Sequence, residues 1–482
     1  MTPSVPYPPD TAVRAEPGSF RDPANRVFQA GDDILRGLRE QAAQDWRALA
    51  ATDFFPPLIA AGKICGTEQV ASDRVPADDG GPWAAVLRHE RIPFLSHPAE
   101  WSFAMLRDAA LLHLEILAEA VPAGFTTKDG SAWNLQFRGA EPVFIDVGSF
   151  EPAREGEPWA GYRQFCQTML YPLLLQAHLG VDFQPWLRSR VDGIEPHQMR
   201  RLFRGVRRWR PGVPTHVHLH DSLTNRHAAT TGREVRGQLR HAGFSREVVA
   251  ATIRSLTRLV RRLDWEPPAT GWSDYQSTCG YSAADRSAKQ QFVDAATADA
   301  GRSALVLDLG ANDGTYSRIA ARHTGYVVAV EHDAAVVDRL YRQLRAEGER
   351  RILPLVVDLA DPTPGAGWRS TERAGFVTRA RADVVLALAL VHHLAVARNV
   401  PLALVVDFLV GQLAGAGGRL VVEFVHPEDP MAQRLIANKP AGLHADYRRD
   451  TFERLLARRC VIQQRQELPG GTRTLYLGTV RD

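Results

Sequence analysis

The chain has 482 residues, 45% hydrophobic and 23% charged, and its 58 basic and 55 acidic residues leave a net charge of +3. That length and apolar content exclude a disordered or fibrous chain and suit two or three globular domains. The near-neutral charge makes no electrostatic case for a nucleic-acid surface, and no window approaches the roughly 18 uninterrupted apolar residues of a membrane span.

Only Lys63, Lys128, Lys289 and Lys439 of the basic residues are lysines, so the arginine content reflects composition more than a binding surface. Cys65, Cys166, Cys279 and Cys460 are scattered without metal or disulfide spacing, and no apolar segment follows a basic start. A reducing cytoplasm is the expected setting.

In chain order, residues 1–19 are Pro-rich and expected to be a disordered tail, and residues 20–210 read as an N-terminal α+β domain. Residues 40–59 read as a helix, 71–82 as a turn-rich loop, "WAAVLRHERIPF" as a strand, and Glu100 to Ala120 as a long helix. "KDGSAWNLQFRGAEPVFID" then sets Asn134 five residues after Asp129 and ends an apolar strand at Asp146. The arginine-rich stretches at 199–210 and 254–265 read as amphipathic helices; in the second, Leu256, Leu259 and Leu263 recur at helical spacing. No aromatic stacking platform accompanies either, so nucleic acid is not an expected partner. "THVHLHD" reads as a strand with His216, His218 and His220 on one face, but no carboxylate or cysteine follows at ligand spacing, and no metal site is expected. Residues 211–285 read as an irregular and helical connector, with a helix from Ser245 to Leu263, and 286–482 as a second domain.

That domain opens with Lys289 in a helix and then "LVLDLGANDGTY", an apolar run that ends at an acid and turns through Gly310 and Gly314. A dinucleotide fingerprint would need glycine where Asn312 stands, so that a pyrophosphate could approach the backbone. The pattern is instead D-x-G-x-x-x-G, which suits a cationic ligand without phosphates. "GYVVAVEHD" ends a second strand at Glu331, placed to accept from two ribose hydroxyls, and "RILPLVVDLADP" ends a third at Asp358, placed to accept from an adenine amine. "ADVVLALALVHHL" runs into His392 and His393, "GGRLVVEFV" carries Glu423, and "TRTLYLGTV" reads as a closing antiparallel strand. The Gly/Pro-rich "DPTPGAGWRSTERAGF" after the third strand is long enough to be a lid or substrate loop.

Residues from about 286 to 482 thus resemble a class I S-adenosylmethionine-dependent methyltransferase. The resemblance implies a Rossmann-like, seven-stranded, mostly parallel sheet and S-adenosyl-L-methionine as cofactor. It puts Asp308, Gly310, Asn312, Asp313, Gly314, Glu331 and Asp358 at the cofactor. His392 or His393, with Glu423 as the further candidate, would serve as base if the acceptor is a hydroxyl or protonated amine. "HERIPFLSHPAEWSFAMLRDAALLHLEIL", "WAGYRQFCQTMLYPLLL" and "EFVHPEDPMAQRLI" extend the resemblance over nearly the whole chain, to a bacterial family of fused, nodulation-protein-like methyltransferases.

In the N-terminal block, Asp129, Asn134 and Asp146 resemble the catalytic-loop acid, the metal-binding Asn and the metal-binding acid of kinases. Thr127 stands where kinases have His, and no glycine-rich loop or lysine-bearing strand precedes residue 63. The expectation is a kinase-like shell without phosphotransfer; the alternative is a turn with a capping Asp and a buried Asn. For the whole chain, the leading expectation is a methyltransferase acting on a small molecule or biosynthetic intermediate. An RNA or protein methyltransferase, and an inactive cofactor-binding module, are the alternatives.

Overall fold

The computed structural model describes residues 13–78, 80–227, 245–267 and 281–481. Most of the expected disordered tail, parts of the expected connector and Cys279 lie outside the described residues. Within the tail, Arg14–Ala15 already form a strand, β1.

β1 pairs with β2 (Asn25–Ala30), and β3 (Asp33–Leu38), β4 (Thr67–Val70) and β5 (Ala85–His89) complete an antiparallel sheet of order β1-β2-β3-β5-β4. The helix Glu40–Ala50 leaves β3 and buries Ala43, Trp46 and Leu49, whose spacing of three residues fits one helical face. A separate apolar cluster of Phe28, Leu35, Val75, Trp83 and Val86 covers the other side of this sheet. The helix Phe103–Ala120 follows, capped where the Ser102 hydroxyl accepts from the Met105 N–H, and is buried on most of its circumference. Two short antiparallel pairs come next: β6 (Phe125–Thr127) with β9 (Phe150–Pro152), and β7 (Leu135–Arg138) with β8 (Glu141–Phe144).

His216 and His218 belong to a wide helical turn, Pro214–Leu219, and not to a strand; His220 opens the helix that continues it. Alternating histidines fit a period of two, but their rings are taken up by packing. Tyr162 hydrogen-bonds His216 Nδ1 and Tyr171 hydrogen-bonds His220 Nδ1, both at 2.8 Å. The helix Arg246–Arg262 buries Ile253, Leu256 and Val260 and keeps its arginines outward, as an amphipathic pattern requires.

The C-terminal sheet contains β10 (Leu305–Leu309), β11 (Tyr326–Glu331), β12 (Ile352–Val356), β13 (Val384–Ala387), β14 (Arg419–Val425), β15 (Cys460–Glu467) and β16 (Arg473–Val480). Its order is β12-β11-β10-β13-β14-β16-β15, with β10 to β14 parallel and β16 antiparallel to both neighbours. The expected seven-stranded, mostly parallel sheet is therefore present. Its inner strands are continuous apolar runs because both faces are covered. Strand order reverses between β10 and β13, which opens a crevice at their carboxyl ends.

The two halves share one continuous core. The β7–β8 turn presses on the segment before β12: Gly139 has φ +57°, and a Cβ there would sit 2.4 Å from the Arg350 carbonyl carbon. Tyr326 accepts from Gly139 N–H at 2.9 Å, Ala104 N–H donates to Asp338 at 2.7 Å, and the Tyr341 hydroxyl donates to Asp108 at 2.9 Å. Arg379 ion-pairs with the fully buried Glu100. Burial alone would raise that carboxyl, but Arg379 and His97 together outweigh it and hold it below its ordinary value. The 361–376 segment also reaches the N-terminal half, through Arg188–Asp361 at 2.6 Å and Arg21–Glu372 at 2.6 Å.

Candidate functional site

The crevice where strand order reverses is lined by Gly310, Asn312, Glu331, His332, Asp358 and His393, among others. Its floor is the turn after β10, where Gly310 (φ +82°), Asn312 (φ +48°) and Gly314 (φ +77°) take left-handed conformations. Glycine suits the first and last, and Asn is among the residues that tolerate it best. The N–H groups of Gly310 and Ala311 both donate to the Val330 carbonyl, at 2.8 and 2.9 Å, and fold the turn onto β11.

Asp308, Asp313 and Gly314 shape this turn from behind. Asp308 is buried and accepts from the Ser317 hydroxyl at 2.6 Å. Burial pushes its carboxyl up to about 6, against the Ser317 hydrogen bond and the nearby Lys289 ammonium. Asp313 accepts from the Thr315 N–H and hydroxyl at 3.1 and 2.9 Å, at the start of the helix Thr315–Ala321.

The acid at the end of β11 is held by several donors. Glu331 accepts from His332 N–H at 2.7 Å, Asp333 N–H at 3.2 Å and Asn312 N–H at 3.3 Å, and His332 Nδ1 lies 2.6 Å away. The hydrogen bond to Glu331 raises the His332 pKa above its usual value. Across the cleft Asp358 pairs with Arg398 at 2.6 Å and accepts from Ala360 N–H at 2.9 Å.

Beyond the turn lies a buried charged cluster. Glu423 accepts from Lys289 at 2.7 Å, from the Tyr281 hydroxyl at 2.7 Å and from Ala389 N–H at 2.9 Å, with Arg473 at 3.5 Å. Ala389 has φ +51°, a strained conformation for alanine, in the loop that follows β13. Burial would raise the Glu423 carboxyl, yet Lys289 and Arg473 keep it below its ordinary value. Arg473 in turn pairs with Asp429 at 2.8 Å. Burying an ion pair carries a large desolvation cost and is weak evidence of stabilisation, so its position beside a ligand crevice is the more informative fact.

His392 is fully buried, and among the described residues neither ring nitrogen has a hydrogen-bond partner. Burial, then the neighbouring His393, drive its pKa well below the usual value, so the ring is neutral. His393 stands on the cleft wall, its ring centroid 4.1 Å from that of His392, and burial pushes its pKa down to about 4.

The N-terminal acids are brought to neighbouring turns. Asp129 accepts from Ser131 N–H at 2.8 Å, and Asn134 donates to the Asp129 carbonyl at 3.3 Å. Burial, with Asp146 adding to it, raises the Asp129 pKa. Asp146 pairs with Arg36 of β3 at 2.9 Å, and Arg36 also donates to Asn25 at 2.6 Å.

Sequence reasoning did not single out Tyr281, Arg473, His332, Arg398 or Arg36 as site residues, and read Lys289 only as part of a helix. The one available signal was Lys289, a rare lysine in an arginine-rich chain whose side chain lies on the buried face of its helix.

Sheet order, turn and acidic walls define a Rossmann-like α/β protein with a ligand crevice at the reversal of its strands. No family model matches the chain. A curated relative, nodulation protein NoeA of Rhizobium meliloti (strain 1021), is 32% identical over 465 residues, covering 95% of this chain and 94% of its own. The chain belongs to the NoeA family. Among solved structures, the N-methyltransferase NodS from Bradyrhizobium japonicum WM9 matches with a TM-score of 0.31 and 13% identity, over 41% of this chain and 97% of its own. Magnesium protoporphyrin IX methyltransferase from Synechocystis PCC 6803, with bound SAH, matches with a TM-score of 0.31 and 14% identity, over 44% and 95%.

Proposed function

We propose that the chain is an S-adenosylmethionine-dependent methyltransferase acting on a small molecule. One observation carries the reading: the Gly310–Asn312 turn and the carboxylates of Glu331 and Asp358 line a single crevice at the strand-order reversal. The residues suit that cofactor. The turn offers left-handed backbone and carboxylates instead of a phosphate cradle, and two acids on successive strand ends match a nucleoside's hydroxyls and amine.

When bound, the cofactor supplies a methyl group on a sulfonium, already activated for transfer. The protein's part is then to hold the acceptor in line, exclude water and accept a proton where the acceptor carries one. His393, neutral on the cleft wall, is the residue for that proton, with the buried His392 behind it. Glu423 is engaged by Lys289, Tyr281 and Ala389 N–H, and its role is to fix the loop after β13. Calorimetric titration with S-adenosylhomocysteine, in parallel with a nicotinamide dinucleotide, tests the assignment; preference for the dinucleotide overturns it.

For the N-terminal half we propose a kinase-like shell without phosphotransfer. Five antiparallel strands with two helices between the third and fourth in the chain, then a long helix and two short antiparallel pairs whose connections carry Asp129, Asn134 and Asp146, support that reading. Kinases keep a lysine on the third strand for the phosphates and an acid for the metal. Here Arg36 occupies the third strand and is paired with Asp146 itself. Titration with ATP and magnesium is expected to give no binding. Clear affinity that Asp146→Ala abolishes refutes the absence of a nucleotide site.

A further inference from the structure

A second cleft, of about 770 Å³, lies outside the carboxyl end of β14, in the segment that leads to the helix Arg449–Arg459. Its size falls within the roughly 300–1,000 Å³ of small-molecule sites. Its charge is one-sided. Lys439, Arg448 and Arg449 line it with His426 and His444, against the carboxylate of Glu428, while Arg449 also pairs outside the lining with Glu467 at 3.7 Å. In a chain of net charge +3 this is a local concentration, and a cleft lined by one sign of charge focuses its field on an oppositely charged ligand. His444, one of the lining residues, has its Nε2 closed off from solvent and without a hydrogen-bond partner among the described residues.

One hydrogen bond ties the wall of this cleft to that of the crevice described above. Lys439 donates to the carbonyl of Ala397 at 3.1 Å, and Ala397 lines that crevice. His426, at the base, follows β14 directly, and its Nε2 lies 2.9 Å from the Thr474 hydroxyl on β16. Ligands of open parallel sheets bind outside the carboxyl ends of the strands, and this cleft is the next position along that edge.

We propose that this cleft is the acceptor subsite and that it takes an anionic group, a carboxylate, phosphate or sulfate carried by a small-molecule acceptor. The inference deepens the methyltransferase reading and rests on it. Arg448 and Arg449 bring planar guanidinium donors suited to paired oxygens, and Lys439 a point charge beside the cofactor wall. A nucleic-acid phosphate is the weaker fit, because Tyr447 packs its ring on Phe424, with centroids 4.9 Å apart, and spends its hydroxyl on the Val425 carbonyl at 2.8 Å. No stacking face is left on it.

The test is calorimetric titration of the full chain with citrate, inorganic phosphate and sulfate in separate runs, at low ionic strength. Wild-type protein is expected to bind at least one of them at millimolar levels, and which one binds tightest distinguishes carboxylate from phosphate or sulfate. Arg448→Gln with Arg449→Gln is expected to weaken that binding at least 10-fold while leaving S-adenosylhomocysteine affinity within twofold. Lys439→Met gives an independent variant that leaves the start of the following helix intact. Anion binding undiminished in both variants overturns the subsite, and so does an RNA oligonucleotide that displaces the anion at lower concentration. If wild type binds citrate or phosphate but not S-adenosylhomocysteine, the anion site stands and the cofactor assignment falls.

Discussion

Replacing Glu331 by Gln keeps the side chain's shape and one accepting oxygen, and exchanges the other for a donor. A hydrogen bond to an ionised acceptor contributes about 1.5–3 kcal/mol, against about 0.5–1.5 for a neutral pair. In the wild type both oxygens are already oriented, Oε1 by the N–H groups of His332 and Asp333 and by His332 Nδ1 at 2.6 Å, and Oε2 by the N–H of Asn312, so two ribose hydroxyls find the carboxylate ordered, and the one at Oε1 displaces the His332 ring. Turning one charge-assisted bond into a neutral one and facing the other hydroxyl with a donor should cost about 2–3 kcal/mol. At 1.4 kcal/mol per decade, that is roughly a 30- to 140-fold loss of affinity. Glu331→Ala should lose more, but it strips all three backbone donors of their acceptor, whereas Gln, with its oxygen towards His332 and Asp333, strips only Asn312 N–H and is the cleaner variant. The assay is calorimetric titration with S-adenosylhomocysteine, beside a thermal melt to confirm that the variant is folded. A folded Glu331→Gln protein that binds within twofold of wild type would refute the assignment of this acid to the ribose.

His393→Ala or His392→Ala is expected to lower turnover by about 10²- to 10⁴-fold with cofactor affinity nearly intact. Because burial pushes His393 down to about 4, wild-type turnover limited by it should be flat from pH 6 to 8 and fall only as pH drops towards 4; an inflection near 6.5 excludes it as the base. Asp308, pushed up to about 6 by burial, holds its proton more tightly folded than unfolded, so stability is lost as pH climbs from near 3.8 through about 6. The melting temperature of Asp308→Asn should therefore gain on wild type between pH 4 and pH 7, and a constant gap contradicts the reasoning. Arg379→Met leaves Glu100 buried without its cation and should cost about 3–5 kcal/mol in urea unfolding, most of it recovered by adding Glu100→Gln. Failure of the second change to rescue the first rules out the ion pair as the cause.

Much of the C-terminal sheet was legible because parallel strands buried on both faces are continuous apolar runs, and "LVLDL" and "YVVAVE" carry an acid at or next to their last residue. The cluster around Glu423 was not legible. Tyr281 and Lys289, Ala389, and Arg473 come from three separate segments, and only the fold brings them onto one carboxylate. Arg36 was hidden for a similar reason, since an arginine in the middle of a short strand looks solvated until β5 and Asp146 close over it. The histidines at 216, 218 and 220 alternate as in a strand, yet they sit in and after a widened helical turn, with two tyrosines and the Phe203 carbonyl as their partners.

The turn at Gly139 bears on how the protein can be handled. With backbone pressed against backbone at Arg350, and with Tyr326 and Tyr341 each spending its hydroxyl on the other half, the two halves are soldered together and not tethered. A gene fragment encoding only the C-terminal sheet would emerge with those tyrosines and their apolar surroundings in water, and should aggregate or purify with chaperones. By the same logic, swapping one half between homologues would require the residues around Gly139 and Arg350 to travel as a matched set.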